Sequence, residues 1–225
     1  MQLDFQAREL TVKLVYYGPA LSGKTTNLQA IHRLLVPDGR GRLMTLETRD
    51  DRTLFFDLLP LTVNTDMGIT VRIKLFTVPG QVIHNSTRRL VLQGADGVAF
   101  IADSQVNEVR ANQAAFKDLR RNLRENGMDP NTMPIVIQYN KRDLPNIRSE
   151  GEIMRMASQG KERTYLATAT HGIGVVDTFL GLTASAFEHL ETQHSLQERF
   201  GLRGQAVVAD LKRRFTQELE APRHG

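Results

Sequence analysis

The chain of 225 residues contains no cysteine and no tryptophan. Without cysteine there is no disulfide scaffold, no thiolate metal centre, no cysteine nucleophile and no site for an S-acyl or prenyl group. No run of about 18 apolar residues occurs, so no integral membrane segment is expected. Aromatic residues are scarce, at 10 Phe and 4 Tyr. That is too few to furnish the stacking platforms that nucleic-acid binding favours. Charge of one sign is also lacking: 29 Lys and Arg against 25 Asp and Glu leave +4. The basic clusters at 117–124 and 212–214 read as solvated helix faces, and no nucleic-acid partner is expected. The first ten residues carry Asp4 and Glu9 and no apolar core, so they do not read as a secretory signal and the expected location is cytoplasmic. Six histidines are present, but none stands at metal-ligand spacing with a carboxylate motif, so no zinc site is expected.

What remains is ordinary globular composition, 40% apolar and 24% charged. Short apolar runs alternate with longer amphipathic stretches. Strands are expected at 12–17, 43–47, 71–78, 97–102, 135–139 and 163–167, and helices at 24–35, 108–126 and 175–190. The runs GVAFIA and IVIQY are nearly continuous in apolar residues, as in central parallel strands covered on both faces. VRIKLFTV alternates, as in a half-exposed or edge strand. The order predicts an α/β fold with a mostly parallel central sheet flanked by helices, whose ligand lies on the rim beyond the strand ends. The main domain is expected to span 1–195. Residues 196–225 form an appendage in which Val208, Leu211, Phe215 and Leu219 make an apolar stripe on a helix.

The strongest local signal is the segment GPALSGKT at 18–25. It fits G-x-x-x-x-G-K-[ST] and lies between a strand and a helix, the setting of a phosphate-binding loop. Gly18 and Gly23 avoid Cβ clashes where backbone N–H groups wrap phosphate oxygens, with Ala20, Leu21 and Ser22 between them and Thr26 behind. The helix that follows aims its positive end at the same phosphates. Lys24 would reach the β and γ phosphates, and Thr25 would give its hydroxyl to Mg²⁺.

The base is addressed by Asn140-Lys141-Arg142-Asp143, directly after IVIQY. The Asp143 carboxylate can accept hydrogen bonds from the guanine N1–H and exocyclic amine. Adenine would leave that acceptor unpaired at about 1–3 kcal/mol. Asn140 can bridge base and phosphate loop, and the Lys141 stem can cover the base face. Thr168-Ala169 follows the next strand, where the Ala169 N–H can serve the guanine carbonyl oxygen.

These three motifs in this order resemble the Ras-like small GTPases. RTLFFDLLP at 52–60, TVPGQ at 77–81, the opening VYYGP and PIVIQYNKRDLPN narrow the likeness to the MglA family of bacterial Ras-like small GTPases, over about residues 5–189. The resemblance implies a Ras-like P-loop fold with GTP or GDP and Mg²⁺ as ligands. It implies a slow GTP hydrolase whose nucleotide state selects effectors in cell polarity or gliding motility, with recruitment to the cell poles. Thr53 would join Thr25 on Mg²⁺ in the GTP state. Arg52 would be an arginine finger from the same chain, Gln81 would orient the attacking water, and the Gly80 N–H would sense the γ-phosphate. A Roadblock-type homodimer like MglB would be the activating partner and would order Arg52 and Gln81.

Thr77 follows the MglA pattern, where most Ras-like proteins carry an acid; that acid near Mg²⁺ is then missing, so metal binding is expected to lean more on the first switch, the region before and including Thr53. Two departures from the family pattern bear on that expectation. Ala20 replaces the usual glycine; its methyl group would crowd Gln81 and slow hydrolysis, the alternative being that the loop tolerates it. In the limit the chain would be a hydrolysis-deficient, GTP-bound scaffold. The appendage at 196–225 is expected to pack on its own domain, with a docking helix and membrane-surface binding as alternatives.

Overall fold

A computed structural model of the chain describes residues 1–35, 40–46, 56–80 and 85–220. Eight strands form one mixed sheet: β1 (Gln2–Asp4), β2 (Glu9–Tyr17), β3 (Met44–Leu46), β4 (Phe56–Asn64), β5 (Thr70–Thr77), β6 (Gly97–Asp103), β7 (Ile135–Asn140) and β8 (Arg163–Leu166). Their order is β3-β4-β5-β2-β6-β7-β8. Pairings among β5, β2, β6, β7 and β8 are parallel. β3 with β4, β4 with β5, and β1 with β2 are antiparallel. The helices are α1 (Lys24–Leu34), α2 (Asn85–Leu92), α3 (Val109–Glu125), α4 (Glu150–Gln159), α5 (Val175–His194), α6 (Leu196–Phe200) and α7 (Gly204–Glu220).

Period-two alternation divides the core. On β2, Leu10, Val12, Leu14 and Tyr16 face the layer made by α1, α5 and α7. Val15 and Tyr17 face the opposite layer, made by α2 and α3. β6 is buried at every position, as a continuous apolar run in a parallel sheet requires. α4 begins with a capping box, in which Ser149 accepts from the Glu152 N–H and Glu152 answers the Ser149 backbone.

Two expectations change. β5 is interior rather than an edge strand, because β4 pairs with it through the register Leu58–Phe76 to Asn64–Thr70. β4 starts inside the stretch RTLFFDLLP and runs past it to Asn64, and it contains Pro60, a residue that ordinarily argues against an interior strand. β1, α2 and α4 were also absent from the sequence reading. They are short, and the apolar periodicity of α2 is interrupted by Thr87, Arg88 and Arg89.

Residues 196–220 lie against the domain. Leu196, Leu202, Val207, Leu211 and Phe215 join the same cluster as α5 and β4. The Phe215 ring meets Phe179 of α5 edge-on at 5.9 Å, and the Arg214 Nη1 donates to the Thr62 carbonyl of β4 at 3.0 Å. The buried stripe starts at Val207, with Val208 only half-buried. Leu211 and Phe215 are buried as the sequence suggested, and only the head of the stripe moves, from Val208 to Val207; the side chain of Leu219 lies outside the described residues. Among the described residues no helix is long and apolar enough to cross a membrane.

Removing the Phe215 ring opens a cavity between α5 and α7. Phe215→Ala is expected to cost about 3–5 kcal/mol, read as a lower urea midpoint at unchanged slope. A wild-type midpoint would mean that α7 does not hold to α5 in solution.

Candidate functional site

The five parallel strands β5, β2, β6, β7 and β8 deliver the loops at their C-terminal ends to one rim of the sheet, as right-handed crossovers require. The loop after β2 is GPALSGKT. It enters α1 through Gly23, whose φ is +94°. A Cβ there would stand 2.3 Å from the Asn140 Nδ2, so the position admits only glycine without displacing that amide.

Lys24 is 7% exposed. Its ammonium donates to the carbonyls of Pro19 at 2.6 Å and Gly18 at 3.2 Å. Burial pushes its pKa down to about 7, and the Arg88 guanidinium pushes the same way against the opposing pull of Asp57. The loop thus carries a cation that is solvated poorly and answered mainly by dipoles, an arrangement that an anionic oxygen would relieve.

Asn140 ties the loops of the rim together. Its Nδ2 donates to the Ser22 carbonyl at 2.9 Å, and its Oδ1 accepts from the Ala169 N–H at 2.9 Å. Phosphate loop, N-K-x-D loop and the turn after β8 are therefore one hydrogen-bonded unit. Lys141 adopts a left-handed φ of +65°, and its ammonium lies 2.6 Å from the Asp103 carboxylate at the end of β6. Asp143 is exposed on the same loop. Thr168 is buried, and its N–H donates to the Ile173 carbonyl at 3.0 Å, which shapes the turn that presents Ala169. Of the two base-side motifs, Asn140 is thus bonded directly to the phosphate loop and Ala169 is joined to it through Asn140.

The phosphate side opens into a cleft of about 670 Å³ lined by Leu21, Gly23, Lys24, Thr25, Thr26, Thr45, Phe56, Asp57, Thr77 and Gly80, among others. At its floor the Asp57 carboxylate accepts from the hydroxyls of Thr25 at 2.6 Å, Thr45 at 2.9 Å and Thr77 at 3.0 Å. The Thr77 hydroxyl in turn accepts from the Asp57 N–H at 2.8 Å. The sequence reading missed Asp57. An acid absent at position 77 is supplied instead from β4, because the antiparallel β4–β5 register sets residue 57 beside residue 77. Its one sequence signal was a lone carboxylate inside an apolar strand-like run, where a buried acid is seldom placed without partners. A second cleft of about 470 Å³ lies between α5 and α7, away from these motifs.

Arg52, Thr53, Gln81 and His84 lie outside the described residues, as do Asp50, Asp51 and Phe55. Phe56 is half-buried with its ring 6.0 Å from that of Phe76. Gly80 is packed on the phosphate loop. A Cβ on it would come within 2.4 Å of the Ala20 Cα.

No protein-family model matches the chain. Over 176 residues, 78% of this chain and 90% of the relative, the sequence is 47% identical to the Mutual gliding-motility protein MglA of Myxococcus xanthus (strain DK1622). The chain belongs to the MglA family. Its mixed, mostly parallel sheet between helical layers agrees with the Ras-like P-loop fold expected from the sequence.

The Asn140 strut makes a sharp prediction. Asn140→Ala strands two buried backbone groups, at about 1–3 kcal/mol each. Asn140→Asp keeps the acceptor for Ala169 but turns an oxygen of a buried carboxylate on the Ser22 carbonyl, so its cost at neutral pH should exceed that of Asn140→Ala. Denaturant midpoints of the three proteins without nucleotide check this order, and equal midpoints would contradict it.

Proposed function

We propose that this chain is a small GTPase switch. It binds GTP or GDP with Mg²⁺, hydrolyses GTP to GDP and phosphate, and controls motility or cell polarity through partners that distinguish the two states. The observation that carries this reading is the Asn140 strut, which joins a phosphate loop to a guanine-type loop. The 47% identity to a gliding-motility protein supports the process.

The residues present fit a hard cation. Thr25, Thr45 and Thr77 hydroxyls surround the Asp57 carboxylate, an all-oxygen set of the kind Mg²⁺ prefers. Thr25, with Thr53 in the GTP state, would hold the ion directly, and Asp57 would orient the Thr25 hydroxyl. When bound, the ion neutralises charge on the β and γ oxygens.

The chain does the rest. Lys24, anchored on its own loop carbonyls, turns to the β and γ phosphates. The loop N–H groups from Ala20 to Thr26 and the α1 N-terminus wrap the same oxygens. Asp143, Lys141 and Ala169 select guanine. Gln81 orients the attacking water, Arg52 stabilises charge on the transferring group from within the chain, and the Gly80 N–H senses the γ-phosphate. A Roadblock-type homodimer resembling MglB acts by ordering Arg52 and Gln81. A slow rate without that partner follows from the methyl group of Ala20 beside Gly80.

The test is single-turnover phosphate release from chain loaded with GTP and Mg²⁺, with and without a Roadblock homodimer. Release that the partner accelerates is expected. GTP retained intact in both cases would contradict hydrolysis and leave a GTP-bound scaffold. Lys24→Ala is expected to weaken GTP binding about 100-fold, the scale for removing one member of a buried charge pair. Excess ATP is expected to leave labelled GTP in place, and equal displacement would refute guanine selection.

A further inference from the structure

Arg88 is a large charged side chain, 2% exposed, on α2, and no role in the reaction described above has been given to it. Its guanidinium uses three sides. The Nε donates to the Pro79 carbonyl at 2.9 Å, and the Nη2 donates to the Gly80 carbonyl. The Nη1 pairs with the Asp118 carboxylate of α3 at 2.8 Å. Asp118 also accepts from the Tyr17 hydroxyl, and the Tyr17 ring lies 5.5 Å beneath the guanidinium. Tyr17 is the last residue of β2, immediately before the phosphate loop.

A buried guanidinium is costly unless its donors are filled. Here two sides are filled by the backbone of TVPGQ, the segment whose residues Thr77 to Gly80 line the cleft. An ion pair with Asp118 alone would lock α2 to α3 and leave that backbone to itself. The peptide bond is planar and trans, so a carbonyl and the N–H that follows it point in opposite directions. Fixing the Pro79 carbonyl on Arg88 therefore fixes the Gly80 N–H on the side away from the guanidinium. Gly80 itself lies against Ala20 of the phosphate loop.

We propose that Arg88 is a positioning residue: by gripping the Pro79 and Gly80 carbonyls it sets the Gly80 N–H for a nucleotide γ-phosphate, and Asp118 with Tyr17 holds the grip in register with the phosphate loop. The inference rests on the GTPase reading above and adds the element that makes the second switch sense the terminal phosphate.

Arg88→Lys tests it, because an ammonium keeps the charge but loses the fork that reaches two carbonyls and Asp118 together. The first readout is the ratio of affinities for a non-hydrolysable GTP analogue and for GDP, measured with the full chain and Mg²⁺. The variant is expected to hold GDP as wild type does and to lose about 5–20-fold for the analogue, the scale of one hydrogen bond. The second readout is single-turnover hydrolysis, expected to fall about 10–100-fold through misplacement of the loop. Asp118→Asn should reproduce both losses in milder form. A role confined to packing would instead lower the melting temperature and weaken both nucleotides alike, and an unchanged analogue-to-GDP ratio in Arg88→Lys overturns the proposal. If wild type binds both nucleotides but leaves GTP intact in the single-turnover readout, the hydrolysis reading fails while the ratio still decides the role of Arg88. Failure of wild type to bind either nucleotide overturns both.

Discussion

A lysine ammonium held out of water is the constraint on which the cleft depends. Lys24 is fixed at the start of α1, rests on the carbonyls of Gly18 and Pro19, and is destabilised as a cation by burial and by Arg88. Carbonyl dipoles solvate an ammonium less well than water does. A polyphosphate tail would replace them with full negative charge, so the loop is poised for an anion before one arrives. The glycine at 23 and the helix N-terminus beyond it belong to the same arrangement, because both bring backbone N–H groups to the place where that charge would sit.

The sheet turns this local feature into a site with two ends. Parallel strands bring the loops after β2, β7 and β8 to one rim, and the Asn140 amide joins all three. The antiparallel extension through β4 closes the other end by placing Asp57 among the hydroxyls of Thr25, Thr45 and Thr77. A slip of β4 by one residue would turn Asp57 to the opposite face, so the β4–β5 register is as much a part of the site as the phosphate loop. Arg88 gives the TVPGQ segment a comparable restraint, tying Pro79 and Gly80 to Asp118 and to the end of β2.

Much of this could be read in the sequence where local rules dominate. The phosphate loop, the N-K-x-D loop and the Thr168-Ala169 turn are short segments whose chemistry is set by residue type and by position after a strand. β6 and β7 were legible because continuous apolar runs have few other uses. The rest depended on pairing between distant segments. β4 was hidden by Pro60, so its pairing with β5 could not be foreseen and the edge alternative stood, although the alternation of β5 correctly gave one buried and one half-exposed face. Asp57 could not be matched to Thr77 until that register was known, and the missing acid at position 77 therefore read as a simple loss. Arg88 had no sequence signal, since an Arg-Arg pair on an amphipathic helix ordinarily faces water. The stripe on α7 was recognisable, but whether Val207 or Val208 led it depended on the angle at which α7 meets α5.

The most direct measurement is calorimetric titration of the purified chain, freed of nucleotide, with GMP, GDP and ADP in the presence of Mg²⁺. A pocket built around Lys24 should bind one GDP per chain, bind GMP far more weakly for want of the β-phosphate, and give little or no heat with ADP. Equal affinities for GMP and GDP, or no heat with GDP at all, would contradict the account.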